Sequence, residues 1–249
     1  RVASDVARLA YEREQGLFDF RRTEGASQRV ILDRLDDPVT PLLSQWTYQA
    51  MIHELIGIKN NRVRVHERGQ AQDIVVSSSG DAFFRDNMYS NYGDLGTSVK
   101  RLVDDFQAVS KMNKQIDSIE DMQRFVESFP EFRQQSGNVS KHVSLMSELS
   151  RLIGENALMA VSQVEQEIAC GADRAYAYAS TLEKLGDPAV TSTACLRLVL
   201  LFALRYEKEG ERQITELQSA LAKRNVEPAF VRLVRDVTRV AGEARRVGD

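Results

Sequence analysis

The chain is sparing with the residues that staple a fold or carry covalent chemistry. It has two cysteines in 249 residues, Cys170 and Cys195, not spaced as CxxC. A disulfide framework is excluded, and the helix-like settings EIACG and TACLRLVLLFAL mark both as reduced core residues of a cytosolic protein. No charge excess dominates, because the net charge is -3 with 28% charged residues, and no strong basic field favours nucleic acid. No apolar run approaches the roughly 20 residues needed to cross a bilayer; the longest, LVLLFAL at residues 198–204, is flanked by Arg197 and Arg205 and suits a buried helix. There is no GxGxxG, no phosphate loop, no nucleophile elbow and no HxxxH or HExxH spacing. No repeat, low-complexity tract or signal-peptide core is present, and a start inside an amphipathic pattern without methionine reads as a piece of a longer protein.

What remains is hydrophobic pattern, and 43% hydrophobic residues suffice for one large or two small cores. Val2, Val6, Leu9, Arg13 and Leu17 lie near one face of a helix expected over 2–18, and the run Val30, Ile31, Leu32 predicts a short strand buried in a sheet. One helix and one strand cannot bury each other's faces, so the rest of that α/β layer is expected elsewhere. Thr40 and Pro41 predict the N-cap and first position of a helix reaching Leu55 and ending near Gly57. Residues 62–65 and 73–77 predict a β-hairpin. From Asp81 onward the chain reads as helical. Leu95, Val99, Leu102, Phe106 and Val109 form one seam, and a capping box at Asp117 and Glu120 opens a second at Ile119, Met122, Val126 and Phe129. After Pro130 the period resumes at Val139, Val143, Met146 and Ile153, with His142, Leu145, Leu149 and Leu152 alongside, which predicts an antiparallel helical pair with an interrupted outer arm. Further helices are expected at 156–169, 173–185, 191–208 and 211–223, and a last one from Pro228. The expected fold class is mainly α: a long antiparallel helical hairpin plus a helical bundle, with a small β-hairpin and one strand belonging to an α/β domain.

Four features could carry function. Asp33, Asp36 and Asp37 could hold magnesium for phosphotransfer at a strand end, but their spacing is wrong for a DxDxT loop; the alternative is a turn in which the aspartates satisfy backbone donors before Pro38. His53, His66 and His142 are scattered, which suits ordinary polar roles better than metal ligation or general-base work, and Arg232, Arg235, Arg239 and Arg246 line one face of the last helix opposite Phe230, Val234 and Val237, either a solvated face or one that meets a membrane surface or phosphate. Pro130 is the oddity, since an interior proline costs about 3 kcal/mol and disfavours helical geometry at Phe129. With Phe125, Phe129 and Phe132 around it, the tip is either an apolar binding surface that bends or extends, or a base-packed cluster beside a simple helix end.

The blocks ILDRLDDPVTPLLSQWTYQAMIHELIGI, NMYSNYGDLGTSVKRLVDDFQ, FVESFPEFRQQSGNVSKHVSLMSELSRLI and VEQEIACG resemble the SM (Sec/Munc) family of SNARE-binding proteins from about Leu17 to Gly248. The resemblance implies a part of a three-domain arch without enzymatic activity or cofactor. Residues 1–37 would belong to the α/β second domain, 38–153 to the first half of the third domain with both hairpins, and 154–249 to its helical second half. It implies a syntaxin-type SNARE and an R-SNARE as partners, no nucleic acid, no direct membrane insertion, a monomer, and work at the cytoplasmic side of trans-Golgi and endosomal membranes. Family hairpin helices contact SNARE helices, and a proline matched by Pro130 lets the outer helix switch between folded-back and extended forms. The candidate contact residues are Met122, Phe125, Phe129, Pro130, Phe132, His142 and Leu145.

Overall fold

Two apolar clusters, joined by the extended connector at residues 43–47, organise the computed structural model, which describes residues 2–18, 30–67, 70–112, 119–224 and 226–243. The expected first helix is broken into α1 (Val2–Arg8), a π turn (Leu9–Arg13) and α2 (Gln15–Phe18), because Glu14 leaves helical geometry at φ -122°, ψ 40°. Its apolar stripe is mostly uncovered among the described residues: Val2, Leu9 and Leu17 are exposed, Val6 is half-buried and only Ala10 is buried. The strand expected at Val30 is likewise not formed. Residues 30–33 are irregular, and Val30 and Leu32 are 78% and 81% exposed, because the one sheet among the described residues lies elsewhere and offers them no partner.

The aspartate turn is structural at two of its three acids. Asp33 accepts from the Leu35 amide at 3.0 Å, and Asp37 accepts from the amides of Val39 and Thr40 at 3.2 and 2.9 Å. Thr40 does not open the long helix that was expected there. Pro41 sits in a single 3-10 turn, Thr40–Leu42, and the chain stays extended until α3 (Tyr48–Met51), which runs on as a π turn, Ile52–Ile56, to Gly57 at φ 99°. A long-range pull explains the delay: the Ser44 amide and hydroxyl both donate to Glu165, 121 residues away, at 2.8 and 3.1 Å.

The β-hairpin forms as expected, β1 (Arg62–Glu67) against β2 (Gln70–Val75), with Val63 opposite Ile74. Alternation sends Val63, Val65 and Ile74 into the first cluster and Arg62, Arg64 and Asp73 outward. α4 (Ala82–Asn87) is capped by Asp81, whose carboxylate accepts from the Phe84 amide at 3.0 Å. α5 (Tyr92–Met112) is capped by Asn91, which accepts from the Asp94 amide at 3.0 Å. α6 (Ile119–Glu155) returns antiparallel for 37 residues, tied at its base by Tyr92 Oη to Ser150 Oγ at 2.7 Å and further out by the stacked rings of Phe106 and Phe132, 5.2 Å apart. The box expected at Asp117 and Glu120 lies outside the described residues. The interruption expected at Pro130 is absent: α6 passes through it, with Phe129 helical. A proline forfeits one bond of the ladder and kinks a helix, and a helix this long has intact turns on both sides to hold the direction.

The second cluster is a bundle of α7 (Leu158–Ala169), α8 (Arg174–Gly186), α9 (Ser192–Arg205), α10 (Glu211–Lys223) and α11 (Pro228–Ala241). Every residue from Leu198 through Leu204 is buried, because α9 lies in the middle of the other helices. No helix of the described residues is long and apolar enough to cross a membrane.

Candidate functional site

Along the helical hairpin burial declines steadily from base to outer end. On α5, Leu95 and Val99 are buried whereas Leu102, Phe106 and Val109 are only half-covered. On α6, Ile153, Leu149, Leu145 and His142 are buried, while Val139, Asn138 and Phe132 are half-covered. The seam therefore continues outward after the body of the protein has stopped covering it. There a groove of about 240 Å³ opens between the helices, walled by Leu102, Phe106 and Val109 on one side and Gln135, Asn138 and Val139 on the other. Phe129 is 45% exposed and Pro130 exposed just beyond it. Such a surface takes apolar side chains of another helix at i, i+3, i+4 and i+7, while Asp105, Gln135 and Asn138 offer polar contacts at its rim.

The base of the hairpin is fixed by a buried polar cluster. His142 Nε2 lies 3.0 Å from Asp81 Oδ2, His142 Nδ1 lies 2.9 Å from Tyr48 Oη, and Lys141 pairs with the same Asp81 carboxylate. The Phe83 ring covers the imidazole at 4.5 Å. Burial opposes ionisation of Asp81, but hydrogen bonds from His142, Lys141 and the Phe84 amide outweigh it and hold the carboxyl well below the usual range. Burial, with the Asp81 charge behind it, pushes the Tyr48 phenol far up. The anionic carboxylate thus calls for a proton on Nε2, and in that tautomer Nδ1 accepts from the Tyr48 hydroxyl.

Of the residues expected to meet a partner, Phe129, Pro130 and Phe132 stand at the outer half of the hairpin. His142 and Leu145 do not: each is fully buried, one clamped to Asp81 and Tyr48, the other in the first cluster, so neither presents a surface. They share a face with Leu149 and Ile153, and the residue spacing that marks that face marks core as readily as contact. Val143, expected in the seam, is instead exposed. Met122 and Phe125 belong to the first turns of α6, and their side chains lie outside the described residues. Asp81 and Tyr48 gave no local sign of their role beyond an aspartate before a helix. The half-covered wall of α5, by contrast, was already visible as a seam.

The remaining candidates separate in space. Among the described residues no three of His, Cys, Asp and Glu group as metal ligands. Cys170 is exposed and Cys195 buried, and burial pushes the Cys195 thiol up. Arg232, Arg235 and Arg239 face outward on α11, Arg239 pairing with Asp236 at 2.8 Å, and Arg246 lies outside the described residues.

This arrangement of two cores and a projecting helical hairpin has relatives. The Sec1 family profile matches residues 1–242, and the chain belongs to that family, as the SM resemblance implied. Vacuolar protein sorting-associated protein 45 homolog of Arabidopsis thaliana is 48% identical over 255 residues, covering 100% of this chain and 44% of its own. The human vacuolar protein sorting-associated protein 45 is 42% identical over 251 residues, covering 99% of this chain and again 44% of its own, so the chain spans less than half the length of these relatives. A solved SM protein Vps45 in complex with the Qa SNARE Tlg2 superposes with a TM-score of 0.85 at 43% identity, over 97% of this chain and 43% of that one.

Proposed function

We propose that this chain is the part of an SM protein that presents a helical template to SNAREs. It binds a syntaxin-type SNARE and an R-SNARE, and it promotes SNARE assembly and vesicle fusion in transport between the trans-Golgi network and endosomes. The observation that carries this reading is the groove between α5 and α6, where an apolar seam runs on past the body with its walls only half-covered. The complex of a 43% identical SM protein with a Qa SNARE supports it. Holding two amphipathic segments in register lowers the entropic cost of nucleating their coiled coil.

In this reading Phe129, Pro130 and Phe132 meet the partner, together with Met122 and Phe125, while His142 and Leu145 act only by seating the hairpin. Residues 1–37 belong to the α/β second domain, which would cover the exposed Val30 and Leu32; residues 38–153 and 154–249 are the two halves of the third domain. The chain works as a cytoplasmic monomer at the membrane periphery. Binding of a soluble syntaxin-type SNARE and a soluble R-SNARE to this chain, alongside the full-length protein, tests the proposal. Phe132→Ala should weaken binding of at least one SNARE several-fold; equal binding by the variant, or none by either length of protein, would overturn it.

A further inference from the structure

A second concave surface lies on the solvent side of the β-hairpin, and it is larger than the groove of the helical hairpin, at about 540 Å³. Its shape follows from a tight turn. Asn60 and Asn61 adopt left-handed geometry at φ 53° and 59°, and Lys59 and Arg62 exchange both backbone hydrogen bonds across them at 2.9 and 3.0 Å. Residues paired in this way stand directly opposite each other with their side chains on one face, so two cations stand at one rim. Arg64 points to the same face as Arg62, two residues along the strand, but it is already occupied. Asp73, opposite it in the register, receives two hydrogen bonds from its guanidinium at 2.7 and 3.1 Å. Arg64 carries most of that neutralisation, and the Arg62 charge also acts on Asp73 through space without pairing with it. Lys59 and Arg62 make no ion pair and no side-chain hydrogen bond among the described residues, although the chain as a whole carries a net charge of -3. The floor beneath them is aliphatic, formed by the half-buried Ile56 and Ile58.

We propose that this surface docks an acidic amphipathic segment of a partner protein, whose apolar side chain rests on Ile56 and Ile58 and whose carboxylates meet Lys59 and Arg62. Charge complementarity selects the partner: a local double positive charge on a molecule that is negative overall attracts a short acidic stretch. The aliphatic floor of Ile56 and Ile58 disfavours a bare polyphosphate or lipid headgroup, which has no apolar side chain to lay on it. The proposal stands apart from the reading of the helical hairpin, since it uses none of its residues.

The probe is a fluorescein-labelled amphipathic helical peptide of leucines and glutamates, followed by anisotropy at low salt against the whole chain. A peptide with glutamine for glutamate, and phosphatidylserine vesicles, serve as comparisons. The acidic peptide should bind; the double variant Lys59→Glu/Arg62→Glu should weaken it about tenfold or more, since two attractive charges at the rim become repulsive. Ile58→Ser and the glutamine peptide should each show a clear several-fold loss. Absence of binding, or equal binding by the glutamine peptide or the double variant, overturns the proposal. So does loss on Phe132→Ala with the charge reversals silent, which would move the peptide to the helical hairpin, and so does vesicle binding that the double variant abolishes, which would make the surface a membrane contact. Circular dichroism of each variant confirms that a loss is not unfolding, and Lys59→Gln/Arg62→Gln must show the same direction with a smaller effect.

Discussion

Asp81 serves three partners at once, capping α4 through the Phe84 amide, accepting from His142 and pairing with Lys141. Asp81→Asn keeps the cap but removes the charge that Lys141 and His142 face in a dry site, and urea denaturation should show a loss of about 3 kcal/mol. The sign of its pH dependence is fixed by the direction of the shift. A carboxyl held below its unfolded value stabilises the fold at neutral pH, and this contribution fades as pH falls through about 4 and below. The wild type should therefore lose stability on acidification in that window more steeply than Asp81→Asn; parallel curves would show that the carboxylate is not selectively bound. The same packing divides the hairpin residues into core and surface. Leu145→Ala, at a fully buried position, should cost about 3 kcal/mol, and Phe129→Ala, at 45% exposure, less than about 1 kcal/mol, as thermal melts can establish. Periodicity places Leu145 on a face without telling which side of that face is covered. For His142 the deciding group, Asp81, is 61 residues away, a distance that no local pattern bridges.

α6 is the element in which local preference and observed structure differ most. Pro130 cannot donate to the carbonyl of Val126, and its ring crowds that turn, yet the helix spans Ile119–Glu155 without a break. The unbroken form is held from outside by the stacking of Phe132 on Phe106 and by the clamp at His142. Pro130→Ala should then stabilise the continuous helix by up to about 3 kcal/mol, the penalty of an interior proline, seen as slowed hydrogen exchange at residues 126–131 and, under the function proposed above, a changed rate of SNARE assembly. Unaltered exchange would mean that the proline costs the helix nothing in this setting. Elements with local causes were legible in the sequence: α7 to α11 follow from apolar periodicity cut by Gly171, Gly186 with Pro188, Gly210 and Pro228, and the β-hairpin from two β-branched runs. Elements with distant causes were not. Val30, Ile31 and Leu32 read as a buried strand because sequence reports apolarity, not whether a neighbouring strand exists. Thr40 and Pro41 read as a helix start because the pull of Glu165 on Ser44 has no signature near either residue.

At the scale of the whole molecule, the extended connector decides whether the two clusters behave as one body. Ser44 donates twice to Glu165 on α7, Trp46 Nε1 donates to Ser162 Oγ on the same helix at 2.8 Å, and Arg197 on α9 pairs with Glu54 in the π turn after α3. Three polar latches thus fasten the cluster that carries the helical hairpin to the α7–α11 bundle. Glu165 is the most buried of their acids, and burial, only partly offset by the donors of Ser44 and by Arg197, pushes its carboxyl up. A carboxyl raised above its unfolded value weakens the fold when ionised. Its cost is present above the folded value and is relieved as pH falls toward the unfolded value near 4.3, opposite in sign to Asp81. Glu165→Gln can still accept the Ser44 amide proton, so it should be at least as stable as the wild type at pH 8, with its advantage shrinking as pH falls toward 5. Glu165→Ala should lose about 1–2 kcal/mol, because it leaves the half-buried Ser44 donors without their acceptor. The wild type should melt in one calorimetric transition, and Glu165→Ala should split or broaden it as the two clusters begin to unfold separately. A single sharp transition in Glu165→Ala would show that apolar contact alone couples the clusters, leaving the latch to set only the path of the connector.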